Sequence, residues 1–87
     1  MDKPSLLDFP CDFPIKAMGM AQPGFAQAIA DLVRRFDPDF DPASMAMRPS
    51  SGGKYLALTC TVRATSQAQL DEIYRALTAH PMVKVVL

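Results

Sequence analysis

Apolar residues along this chain recur with a period that switches between two, the repeat of a strand, and 3.6, the repeat of a helix. No other sequence feature limits the possible folds as tightly. Between Pro14 and Met20 the run IKAMGM sets Ile15, Ala17 and Gly19 against Lys16, Met18 and Met20, which predicts a strand. Pro23 and Gly24 open a segment in which Phe25, Ala28, Ile29, Leu32, Val33 and Phe36 fall at helical spacing, with Arg34 and Arg35 near its C-terminal dipole and Pro38 as its stop. Ala43 to Arg48 predicts a short strand. Tyr55 to Ala64 predicts a longer one, with Leu56, Leu58, Cys60 and Val62 on one face. Ser66 and Gln69 then form a capping-box pattern ahead of a second helix bearing Leu70, Ile73, Tyr74 and Leu77, which Pro81 ends. The chain closes on MVKVVL, where Val83, Val85 and Leu87 alternate with Met82, Lys84 and Val86.

The resulting order, β-α-β-β-α-β, is that of an α+β ferredoxin-like sandwich. Two right-handed crossovers interleave, giving a four-stranded antiparallel sheet of order 4-1-3-2 with both helices on one face. A chain of 87 residues has room for one such core and not two. Residues 1–13, broken by Pro4 and Pro10, read as an extended N-terminal arm, and 14–87 as a single domain. If Ile15, Ala17, Leu56, Leu58, Cys60, Val62, Val83 and Val85 face the helices, the open face of the sheet receives Lys16, Met18, Met20, Tyr55, Thr59, Thr61, Lys84 and Val86, a mixed face that the N-terminal arm is expected to cover, with a second copy or another protein as the other candidates.

Nine basic residues balance nine acidic ones, which leaves no electrostatic footprint for a nucleic acid or an anionic membrane. Cys11 and Cys60 lack metal-type spacing, and the N-terminus carries prolines and acids where a signal peptide needs an apolar run. The expectation is a cytoplasmic protein with no cofactor and no metal.

Motif by motif, catalysis finds little footing. The stretch RPSSGGKY superficially resembles a phosphate-binding loop, but Tyr55 stands where a Ser or Thr would hold magnesium, and a strand follows where a helix is needed. It reads as a hairpin turn. Asp37, Asp39 and Asp41 begin with calcium-loop spacing, yet Pro42 and Arg48 occupy the positions of the required Gly and Glu, so they read as a solvated connection. His80 suits the end of the second helix. Cys60 lies on the apolar face, leaving Cys11 as the one thiol open to reactive chemistry. Strand one carries no aromatic and the Tyr55 strand only one, against RNA stacking, and the loop after strand one has no cysteine for a soft metal. The chain contains no asparagine, which removes an acylphosphatase reading.

One loop resembles a ligand site. Gln22-Pro23-Gly24-Phe25 is similar to the start of ACT domains, and that resemblance implies amino-acid binding between this loop and a neighbouring subunit, with Gly19, Gln22, Gly24 and Phe25 as the candidate residues. The same four-residue stretch also reads as an ordinary helix start with a first-turn proline.

Across nearly the whole chain, LLDFPCDFPIKAMG, RPSSGGKYLALTCTVRATS and LDEIYRALTAHPMVKVVL resemble the YbeD family of small bacterial proteins. That resemblance implies the ferredoxin-like fold and kinship with ACT regulatory domains, and brings no catalytic residues with it. Two functions follow as expectations. The first is a non-enzymatic regulatory or adaptor domain acting through protein contacts, with a protein partner or a second copy meeting the open face or the edge strand at Met18, Met20, Tyr55, Met45 and Met47. The second is an ACT-like sensor of a small metabolite.

Overall fold

The computed structural model describes residues 8–87. Strand β1 spans Cys11–Met20, helix α1 Phe25–Arg34, β2 Ala46–Pro49, β3 Tyr55–Ala64, α2 Gln67–Ala79 and β4 Val85–Val86, with a 3-10 turn over Pro42–Ser44 before β2. The sheet order is β2-β3-β1-β4, which is the expected 4-1-3-2. The two long strands pair antiparallel from Cys11 opposite Ala64 to Met20 opposite Tyr55. Of the expected arm, residues 1–7 lie outside the described residues. Cys11, Asp12 and Phe13 belong to β1, because β3 is long enough to pair with them.

Alternation along β1 and β3 points Ile15, Ala17, Leu58, Cys60, Val62 and Ala64 at the helices, where all are buried. Phe25, Ile29 and Val33 of α1 and Leu70, Ile73 and Leu77 of α2 close the core from above. Phe40, a lone aromatic between aspartates, also enters this core.

Caps and loop contacts fix the helix ends. Ser66 Oγ accepts from the Gln69 N–H at 3.1 Å, as the capping pattern requires, while Gln69 Oε1 accepts from the Thr65 N–H at 2.7 Å. The Gln69 amide also donates to the Phe36 carbonyl at 3.0 Å, so one side chain joins the start of α2 to the end of α1. Asp37 is not solvated as expected. It is buried, and its carboxylate accepts the Arg63 N–H at 3.0 Å, satisfying a donor at the end of β3. Asp41 caps the 3-10 turn through the Ala43 N–H.

Two strands differ from their periodicity. The segment expected as a strand from Ala43 is split, because Pro42 favours the 3-10 turn and pairing begins only at Ala46. In β4, Met18 is the register partner of Val85, yet the Lys84 N–H donates to the Met18 carbonyl at 2.7 Å. This is a β-bulge, with Lys84 and Val85 together opposite one residue. The extra residue shifts the alternation. Val83 and Val86 therefore both pack on the core, while Val85, expected to face the helices, emerges on the open face.

Candidate functional site

Nothing among the described residues covers the open face of the sheet, and its residues sit in rows fixed by the register. Lys16 lies opposite Thr59, which lies opposite Ala46; Met18 lies opposite Ala57, which lies opposite Arg48; Met20 lies opposite Tyr55. Lys16 and Leu87 exchange two backbone hydrogen bonds, of 3.1 and 2.8 Å, which carries the first row across to the end of the chain. Met20, Tyr55, Val85 and Leu87 are all between 40% and 65% exposed, so apolar surface meets water across β3, β1 and β4.

At its centre the face is hollow. A groove of about 330 Å³ is lined by Lys16, Met18, Arg48, Tyr55, Ala57 and Leu87 among others. A second hollow of similar size continues over Ala46, Ala57 and Thr59 toward β2. The Lys54 ammonium stands 5.7 Å over the Tyr55 ring, a cation–π arrangement at the groove's end. At the opposite end Arg63 pairs with Asp12 at 3.2 Å, both largely exposed, a contact that holds position more than it stabilises.

The candidate contact residues divide. Met18, Met20 and Tyr55 belong to the open face as expected. Met45 is half-buried against the core just before β2, while Met47 sits on the edge strand as expected, exposed and bordering the second hollow, although its pairing with Leu58 turns it toward the helix side. The early bend at Pro42 and the late start of β2 account for both. Ala57, Arg48 and Leu87 were not singled out from the sequence. A small residue between Tyr55 and Thr59 on a strand of period two was the available signal for Ala57.

The ACT-like loop also divides. Phe25 is fully buried in the core, so its ring has no face for a ligand. A side chain at Gly19 would collide with the Met82 carbonyl and the Phe25 ring, which makes this glycine a packing requirement. Gln22 and Gly24 are exposed, and Gly24 takes φ +86 as the residue before α1, a conformation that favours glycine. Neither hollow of the open face is lined by any of these four residues, nor is a third hollow over Ala26, Ala30, Pro42 and Met45.

The hairpin loop and His80 have structural partners. Ser50, Gly53 and Tyr55 close the hairpin through Gly53 N–H to Ser50 O and Ser50 N–H to Tyr55 O, both 2.8 Å, with Gly53 at φ +74. It is a turn. His80 Nδ1 accepts the Met82 N–H at 3.1 Å, tightening the turn after α2 where a dipole contact was expected. Both cysteines are free. Burial pushes the Cys60 thiol up to about 11, and Cys11 is half-buried against the core. No cluster of His, Cys, Asp or Glu among the described residues has the arrangement of a metal site. No helix among them is long and apolar enough to cross a membrane.

Residues 4–87 match the profile of a family described as "Protein of unknown function (DUF493)". The chain belongs to the DUF493 family. Its DUF493 kinship is dense: a UPF0250 protein of Bordetella pertussis is 63% identical over 83 residues, covering 95% of this chain and 91% of the relative. A second, from Nitrosomonas europaea, is 51% identical over the whole of both chains. The YbeD resemblance seen in the sequence pointed to this same family. In three dimensions the chain is similar to the solution structure of protein HP0495 from H. pylori, with a TM-score of 0.77 and 14% identity over 98% of this chain and 88% of that one. That likeness supports the fold, and the family's description names no reaction.

Proposed function

We propose that this chain is a non-catalytic regulatory or adaptor domain of the cytoplasm that binds a protein partner through the open face of its sheet. One observation carries the reading: the face opposite the helices combines exposed Met20, Tyr55, Val85 and Leu87 with a central groove, and the described residues bring nothing to cover it. Such a patch is costly to leave in water and is the usual mark of an interaction surface. The methionines suit the role, since an unbranched thioether adapts to the shape of what it meets. The amino-acid-sensor reading has weaker support, because Phe25 and Gly19 serve packing.

A photo-reactive amino acid at Tyr55, incorporated in growing cells, tests this directly. A discrete cross-linked protein is expected, and the double substitution Met18→Lys with Met20→Lys should abolish the product while the melting temperature holds. A product that survives the double substitution, or no product at all, would sink the proposal.

A further inference from the structure

The groove exists because β3 carries a small residue, Ala57, near its start. Ala57 has Met18 of β1 and Arg48 of β2 as its register partners, so a methyl group lies between two long side chains. Lys16 and Leu87 form further wall. The stems of Lys16 and Arg48 add apolar surface to the groove while their charged ends reach water at its rim.

The charged side chains that line this groove, Lys16 and Arg48, have one sign. Asp12 is the acidic residue carried by the four strands. It lies four residues from Lys16, about 13 Å along β1, and Arg63 already holds it at 3.2 Å. Among the described residues no carboxylate pairs with Lys16 or Arg48. The formal neutrality of the chain thus conceals a basic rim around an apolar hollow.

We infer, building on the adaptor reading above, that the hollow over Ala57 receives a bulky apolar side chain of a partner protein whose neighbouring residues are acidic. The carboxylates meet Lys16 and Arg48, and the apolar side chain rests on Ala57 between Met18 and Tyr55. Opposite charges across such a contact accelerate encounter and set orientation. A stretch of polypeptide fits better than a free metabolite for two reasons. The groove is a half-open cleft, whereas a small-molecule site encloses most of its ligand. The exposed apolar residues also run across three strands, about 10 Å, a span that an extended segment covers with several residues.

Two fluorescent peptides of equal length test this by anisotropy, one with a phenylalanine between two glutamates and the other with the same residue between two lysines. The acidic peptide should bind about tenfold more tightly or better, and added salt should erase the difference. Ala57→Leu, which fills the hollow from the solvent side of the sheet, should weaken it by about tenfold. Lys16→Glu with Arg48→Glu should reverse the preference toward the basic peptide. Equal binding of the two peptides, no binding, or indifference to Ala57→Leu overturns the inference. So does a free amino acid, glutamate or leucine, that binds in a manner lost on Ala57→Leu. The two levels separate through the partner cross-linked at Tyr55: a basic or uncharged contact segment overturns this inference and leaves the adaptor reading intact, while the absence of an open-face partner removes both.

Discussion

The two faces of this sheet are made by the same two strands, yet they differ in nearly every physical property. On one face Ile15, Ala17, Leu58, Cys60 and Val62 are sealed beneath two helices. On the other, one residue away in each case, Lys16, Met18, Ala57 and Thr59 line a groove that the described residues leave open. The first face is where apolar area leaves water, at roughly 25 cal/mol per Å², and it carries the stability of the domain. The second stays in contact with water, so its burial contributes less to folding. A strand's two-residue alternation lets one segment serve both ends independently.

Substitutions that strike one face and spare the other measure how complete that separation is. The largest effect belongs to Phe25→Ala. Removing a ring buried against Gly19 and the core should cost about 3–5 kcal/mol, read as a lower urea midpoint; a loss below about 1 kcal/mol would mean that Phe25 is not part of the sealed face.

Next comes alkaline pH. Burial raises the Cys60 thiol from 9.0 to about 11, so the unfolded chain ionises first. This contribution is whole below about pH 9 and is lost as pH rises through about 11, amounting to about 2–3 kcal/mol. Cys60→Ala, less stable at neutral pH, should lack this component of the alkaline decline. Parallel unfolding curves for the two proteins from pH 8 to 11, in approximate terms, would contradict a sealed thiol.

Gly19→Ala should cost about 1–3 kcal/mol by overpacking, since its new methyl meets the Met82 backbone, whereas Gly52→Ala, with open space around it, should be nearly silent in thermal unfolding. A costly Gly52→Ala and a silent Gly19→Ala would invert the assignment of packing to the first glycine. The smallest expected effect is on the open face itself: Met18→Lys with Met20→Lys should change stability by no more than about 0.5 kcal/mol for each site. A larger loss would show that the open face contributes to the fold as well.

The element order and sheet order were legible because both helices and the two long strands carry unbroken periodicity bounded by Pro23, Pro38 and Pro81. The family was legible too, from long stretches of matching sequence. The contact residues were legible only in part. Met18, Met20 and Tyr55 lie on regular strands, so counting by two places them correctly. Met45 and Met47 were expected at the edge strand, and Met47 lies on it while Met45 falls just before it, after the 3-10 turn that Pro42 favours; Val85 follows a bulge, so counting fails there. Phe40 and Asp37 lie in a connection with no period at all, and their burial depends on contacts with residues far along the chain.

By itself, the sequence determined the alternation of strands and helices, the residues sealed in β1 and β3, and the closure of RPSSGGKY as a turn, because each depends on local periodicity or on the φ preference of glycine. Only the tertiary structure decided that Gly19 must be bare, that Asp37 serves the end of β3, and that a bulge at Lys84 turns Val85 outward. It also decided that Ala57 sits between Met18 and Arg48 beneath a groove with a basic rim. Each of these rests on strands brought together from distant parts of the chain, and the register between such strands is set by the packing of the whole core.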